Sequence, residues 1–297
     1  MPQPKDDRMK KSLLACFSLL LLLVSTSPGR ADSPVWKVAK GDAHLFIGGT
    51  VHVLSQDDYP LPEAFEKAYQ ASSIIVFEAD IQEMQTPEFQ QALVEQASYP
   101  EGRDLTMYLT DDTRAHLVQF LSSRQLPMDN LVKFKAGMVS VTLTIVELQR
   151  LGLAGTGVDQ FFSQRAANDR KEIGALETTQ EQLMFIATMG EGKEDELIAY
   201  TLRQIEDLPE MMQAMKAAWR AGDNAKMEAV ALRPMEKDFP VMTDRFVEDR
   251  NDAWLPRIEA MFDTEAVEFV LVGALHLVGE EGLLEQLKAK GYEIDNL

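Results

Sequence analysis

The segments Leu45-Phe46-Ile47-Gly48-Gly49-Thr50-Val51-His52 and Phe269-Val270-Leu271-Val272-Gly273-Ala274-Leu275-His276 lie near opposite ends of the chain and read almost alike. Each is a short apolar run with β-branched residues that closes on Gly-x-x-His. Short apolar runs bounded by glycine are what strands buried on both faces require. Two such runs in one sheet would bring imidazoles separated by most of the sequence to a common edge. The chain has four histidines in 297 residues. Neutral imidazole is both the commonest metal ligand and a base near pH 7, so this pair marks the place to look for chemistry.

Around these runs the pattern is that of an α/β chain. Val35 to Ala39 and Ala43 to Gly49, joined by Lys40-Gly41-Asp42, read as a β-hairpin. A helix from Pro62 to Ala71 follows, with proline suited to its first turn. Ser73 to Ala79 is a buried strand that carries Glu78. Residues 86–150 read as helical, with breaks around Pro100-Glu101-Gly102 and Leu126-Pro127. A glycine-rich loop at 152–157 leads into a helix from Val158 to Asn168. Lys171 to Leu176 is a further strand, ending at Glu177. Helices cover 178–189, 192–217 and 223–263, the last interrupted near Pro234, Pro240 and Pro256. The methionines at 184, 189, 211, 212 and 215 recur at helical spacing, which makes them core residues before a binding groove. Ala266 to Val272, Gly282 to Lys290 and Tyr292 to Asp295 close the chain as strand, helix and strand. The expectation is a single α/β domain over 32–297. It has a central mixed β-sheet flanked by helices and a large helical insertion at about 86–263.

Residues 1–31 lie outside that domain. Lys10 and Lys11, an apolar stretch from Leu13 to Val24 and then Pro28-Gly29-Arg30-Ala31 follow the n-, h- and c-region order of a secretory signal peptide. The apolar stretch is short of the roughly 20 residues of a membrane span, and Met9 is a second candidate start. Export to the periplasm or beyond is the expectation, with an uncleaved N-terminal anchor as the alternative and no other stable membrane span. Cleavage also removes Cys16, the only cysteine, and with it any thiol nucleophile or disulfide. A metal would then be held by His, Asp, Glu, Asn or backbone oxygen. Five of the 29 basic and two of the 48 acidic residues fall in this segment. That leaves 24 against 46, a charge of −22, which disfavours nucleic acid and anionic lipid as partners.

The chain contains no H-E-x-x-H, G-x-S-x-G, Walker A or G-x-G-x-x-G signature. What carries chemistry instead is a set of residues at strand ends: His52, Glu78, Glu177 and His276. In open α/β sheets the carboxyl edge is where ligands bind. Gly49 and Gly273 let a ligand approach the backbone there. Two histidines with one or two glutamates make a divalent-metal site with an open position, and glutamate can activate bound water. His44 and His116 lack this context and receive no role.

Gly49-Thr50-Val51-His52, Val76-Phe77-Glu78, Gly157-Val158-Asp159, Ala175-Leu176-Glu177-Thr178, Arg250-Asn251 and Val272-Gly273-Ala274-Leu275-His276-Leu277, with Gly279 and Gly291-Tyr292, resemble the TraB/GumN family in order and spacing. The resemblance implies kinship with the Tiki metalloproteases and a fold shared with erythromycin esterase and the haem-binding lipoprotein ChaN. It implies that His52 and His276 are the paired Gly-x-x-His residues, that Glu78 is the companion acid, and that Glu177, Arg250 and Asn251 belong to the same pocket. Where many relatives carry Pro-Trp in the helical middle, this chain has Lys135-Ala136-Gly137-Met138, which bears on substrate shape.

The leading expectation is an exported metal-dependent hydrolase, a peptidase acting on a peptide or protein. A divalent ion (manganese, cobalt or zinc) would be held by His52, His276 and Glu78. Glu177 would serve as base or outer ligand, with Arg250 and Asn251 at the oxyanion. The alternative is a non-enzymatic periplasmic binder of haem, metal or peptide. Neither the substrate nor the oligomeric state is legible.

Overall fold

The computed structural model describes residues 33–297 apart from Val53, Ala154 and the side chain of Met242. The expected signal segment, Cys16 included, lies outside the described residues. Six strands form one mixed sheet: β1 Val35–Lys40, β2 Ala43–Thr50, β3 Ile74–Phe77, β4 Glu172–Ala175, β5 Glu268–Gly273 and β6 Glu293–Asn296. Their order across the sheet is β4-β3-β5-β2-β1-β6. The two runs with the Gly-x-x-His endings are neighbours: β2 and β5 pair in parallel, with Phe46 opposite Phe269 and Thr50 opposite Gly273. β3 pairs in parallel with both β5 and β4, whereas β1 is antiparallel to β2 and β6. Four carboxyl ends therefore emerge along one edge.

Alternation along the central strands builds a core on each face. Phe269 and Leu271 of β5 enter a cluster with Phe65, Phe77, Phe162 and Trp219. That face is covered by the helices Glu63–Ala71, Val158–Asp169 and Glu194–Arg220. Val270 and Val272 point the other way, into a cluster with Trp254, Ile258, Leu283 and Leu287. Those residues come from β5's second cover, the helices Asp249–Met261 and Leu283–Ala289. The helical middle adds a separate core in which Leu117, Val139, Leu143, Leu197 and Ile205 pack. Met189 and Met212 are buried within it or beside it, while Met184 is exposed.

The proline reading needs correction. Pro240 opens a helix after a break at Phe239, but Pro234 follows the π-helical segment Glu228–Leu232 within a continuous helical stretch. Pro256 lies inside the unbroken helix Asp249–Met261, and Pro209 lies inside Glu194–Arg220. Pro256 faces solvent, where water can take the carbonyl freed by its missing N–H. Buried Trp254, Leu255 and Ile258 hold the helix to the sheet on either side of it. The strands are also shorter at their ends than the apolar runs suggest: β3 covers Ile74–Phe77 of the expected 73–79. No helix among the described residues is long and apolar enough to cross a membrane.

The helix Glu194–Arg220 is tied to the sheet through Trp219, which is 3% exposed and donates its indole N–H to the Gly49 carbonyl at 2.7 Å. Trp219→Ala removes that bond and a large buried ring, so it should cost about 3–5 kcal/mol. Trp219→Phe keeps most of the packing and should cost about 1–3 kcal/mol through the unpaired carbonyl. Guanidinium unfolding of both variants checks this, and an alanine variant as stable as the parent would refute the anchoring role.

Candidate active site

The parallel register of β2, β5, β3 and β4 brings four sequence-selected residues to one edge. Glu78 leaves the end of β3, and its Oε1 accepts the Gly273 backbone N–H at 2.6 Å. Glu177 follows β4, and its N–H continues the ladder by donating to the Glu78 carbonyl. The two carboxylates thus stand side by side. Burial favours a shared counter-ion there, and the helix Asp249–Met261 supplies it. Arg250 donates through Nε and Nη2 to both oxygens of Glu177 at 3.2 and 2.8 Å, and through Nη2 to Glu78 at 2.7 Å. Nη2 also lies 3.1 Å from the Gln182 Oε1, and Nη1 lies 3.2 Å from His276 Nε2.

After Gly273 the chain turns through a 3₁₀ segment, Ala274–Leu277, in which His276 is buried. Asn251 fixes it there. The Asn251 Oδ1 lies 2.8 Å from His276 Nδ1, and its Nδ2 donates to the carbonyls of His276 and Glu281 at 3.1 and 2.8 Å. With Nδ1 directed at a carbonyl-type acceptor, the proton belongs on Nδ1 and the lone pair on Nε2. Asn251 is fully buried and its amide is saturated by these bonds. It orients His276 and has no N–H left for an oxyanion. The Trp254 ring packs 4.5 Å from the His276 ring, and its indole donates to Glu177 at 3.1 Å.

His52 is held differently. Its side chain is 63% exposed, and its Nδ1 contacts Asp159 Oδ2 at 3.1 Å. The Gly157-Val158-Asp159 segment can come this close because Gly157 has no side chain: a Cβ there would lie 2.3 Å from the His52 carbonyl oxygen. The other Asp159 oxygen is buried and has no partner among the described residues.

These contacts push the ionisable groups apart. Burial is the largest single influence on Glu78 and works against its charge, but the Arg250 guanidinium, the two imidazoles and the Gly273 N–H together outweigh it and hold the carboxyl down at about 2. Burial raises Glu177 above the ordinary carboxylate range, the neighbouring Glu78 charge adds to this, and Arg250 opposes it. Burial lowers the His276 imidazole to about 4, which keeps it neutral. The Asp159 carboxylate raises the exposed His52 imidazole above its usual value.

Three of the residues selected from the sequence approach one another around Gly273. A Cβ at this position would lie 3.2 Å from Glu78 Oε1, 3.5 Å from His276 Cδ2 and 3.8 Å from His52 Nε2. Each imidazole has its Nδ1 on an oxygen acceptor, the arrangement that orients metal-ligating histidines. The donor types therefore fit a divalent ion. Among the described residues, however, no three acidic or histidine side chains form a ready-made ion site. Nε2 of His276 faces Arg250, so uptake of an ion requires that contact to give way and His52 to release any proton. Two cavities open on the assembly. One of about 460 Å³ is lined by His52, Glu78, Asp159 and Gln182, and one of about 590 Å³ by Glu177, Arg250, Trp254 and Phe185.

All six residues selected from the sequence are thus in this region. His44 packs its ring on Phe46 and His116 faces Asp112 on a surface helix, both away from it. Asp159, Gln182 and Trp254 were not assigned roles from the sequence. Trp254 stands four residues after Arg250, on the same helical face. Asp159 closes the glycine-rich loop. Gln182 carries no sequence signal of its own.

The family model for the TraB/PrgY/gumN family matches residues 34–296. Escherichia coli uncharacterized protein YbaP is 24% identical over 249 residues, covering 84% of this chain and 89% of that one. Human metalloprotease TIKI1 is 24% identical over 316 residues, covering 89% of this chain and 62% of that protein. The zebrafish metalloprotease TIKI1 is 22% identical, covering 96% of this chain and 69% of that protein. No solved structure gives a significant match. With the match running from the first described strand to the last, the chain belongs to the TraB/PrgY/gumN family.

Proposed function

We propose that this protein is an exported metal-dependent hydrolase that cleaves a peptide or protein substrate in the periplasm or outside the cell. The observation that carries the reading is the gathering of His52, His276 and Glu78 around the side-chain-free Gly273, beside Glu177, whose proton affinity is raised while that of Glu78 is lowered. The similarity to proteins named metalloprotease supports the activity, and the signal-like order of residues 1–31 supports export. His52, His276 and Glu78 would hold a manganese, cobalt or zinc ion, which when bound polarises a carbonyl and acidifies water.

The remaining residues have distinct tasks in this reading. Glu177, with its raised proton affinity, takes the proton from the attacking water and returns it to the leaving amine. Glu78 stays ionised throughout. Arg250 keeps one Nη1 N–H beyond the contact with His276, and that donor is available to the developing oxyanion. Asn251 preserves the His276 tautomer and acts only through it. Trp254 and Phe185 form an aromatic wall that limits water beside Arg250.

Purified protein should contain stoichiometric metal, and a His52→Ala, His276→Ala double variant should lose it while remaining folded by circular dichroism. A folded parent that holds no metal and ignores added manganese, cobalt and zinc would sink the reading.

The neutral, buried His276 also predicts a pH dependence. Its folded pKa is depressed from 6.5 to about 4, so its contribution to stability is present above about 6.5 and is lost as pH falls towards 4. Glu78, depressed from 4.5 to about 2, continues the loss below that range. Denaturation midpoints between pH 7 and 4 should fall less steeply in a His276→Gln variant than in the parent. Parallel curves would count against the assigned state.

A further inference from the structure

Arg250 and Gln182 touch, yet they line different cavities. Arg250 stands with Glu177 in the cavity of about 590 Å³, and Gln182 with His52 and Glu78 in that of about 460 Å³. The helix Thr179–Thr188 brings Gln182 there, and the reciprocal caps of Thr178 and Glu181 fix its start just beyond Glu177.

The orientation of the Gln182 amide follows from its partner. A guanidinium has only donors, so the atom 3.1 Å from Arg250 Nη2 is the amide oxygen. The amide nitrogen is the end left over. It has no partner among the described residues, and it is not one of the buried polar atoms left without one, so it remains accessible. The same Arg250 Nη2 lies 2.7 Å from Glu78 Oε2, which sets the amide close to Glu78. Gln85, Gln90 and Gln160 line this cavity too, but all three are exposed. Gln90 also spends its amide N–H on the Met84 carbonyl at 2.8 Å. Gln182 is half-buried and held by a charged group, with both of its N–H donors unspent.

We infer that Gln182 is a further catalytic residue, whose Nε2 donates to the substrate's carbonyl oxygen as charge develops on it. The inference rests on the hydrolase reading above. Water adds to the carbonyl carbon, its proton passes to Glu177, and the carbonyl π pair moves onto oxygen. Collapse restores the C=O bond and expels the amine, which takes the proton back. Between these events the oxygen carries a full negative charge in the cavity that holds His52 and Glu78. Donors fixed before that charge appears cost no reorganisation when it does. The Gln182 donors add to the one N–H left on Arg250, and a neutral amide does not titrate while Glu177 exchanges its proton.

The rival role is mere support of Arg250, and two variants separate the two. Gln182→Glu keeps an oxygen for Arg250 and deletes both donors, whereas Gln182→Leu deletes everything. Metal-loaded parent and variants are incubated with a tryptic digest of casein, cleavage is followed by mass spectrometry, and kcat and KM are measured on the best-cleaved peptide. Metal content and melting temperature are measured alongside. Both variants should lose about 10²–10³ in kcat while KM and metal content stay at the parent's values, the mark of a contact made only in the transition state. Parent kcat in a folded Gln182→Glu would overturn the inference and leave the hydrolase reading standing. So would loss of metal in step with loss of rate. If Gln182→Glu fails to fold, Gln182→Leu decides in the same way, since parent kcat there excludes the donor role. A metal-loaded parent that cleaves no peptide would overturn the hydrolase reading and this inference with it.

Discussion

The Arg250 guanidinium is the element on which the site depends. Parallel pairing of β3 with β4 places Glu78 and Glu177 beside each other at a buried edge. Two adjacent carboxylates in such a place cannot both ionise without a cation. The planar fork of arginine suits this position because it grips Glu177 with two nitrogens and still reaches Glu78 and His276. Removing one partner of such a network leaves uncompensated buried charge, at a cost of about 3–5 kcal/mol. The result is one carboxylate that stays charged and another that holds a proton more readily, which is the asymmetry that acid–base chemistry uses.

The two histidines are supported unequally, and this has consequences for dynamics. His276 is enclosed by Trp254, Asn251 and Arg250, on elements packed against the sheet. His52 sits in a loop and meets the site from the solvent side through a single side-chain contact with Asp159. That loop is restrained from behind. Lys216 pairs with Asp58 at 2.7 Å, Arg220 donates to the carbonyls of Asp58 and Pro60, and Tyr59 donates to the Thr156 carbonyl. The same helix carries Trp219, so one long element both anchors β2 and steadies the loop beyond it. An exposed imidazole on a braced loop can exchange a proton for another partner, which a fully enclosed one cannot do without disturbing the core.

Much of the fold was legible because its signals are local. The hairpin needed only Gly41 between two apolar runs, and β5 needed only a glycine-bounded run without polar interruption. His52, Glu78, Glu177 and His276 were legible because they share an address, one or more residues beyond a strand end, whereas Arg250 and Asn251, inside the 249–261 helix, entered only through the family resemblance. Pro256 misled because a proline's effect depends on the direction it faces, and that is fixed by the packing of Trp254, Leu255 and Ile258. Asn251 was recognised as a pocket residue but given an oxyanion role. Its actual partners are two carbonyls and an imidazole from distant segments, which no local pattern encodes. Gln182 was invisible for the same reason.

By itself, then, the sequence determined which side chains stand at the carboxyl edge, because strand endings are written in apolar runs and glycines. It could not determine how those side chains divide charge among themselves. That depended on the tertiary structure, which places a guanidinium from the 249–261 helix between two carboxylates and an imidazole. Distance and burial set proton affinity, and both exist only once the 249–261 helix has docked on the sheet.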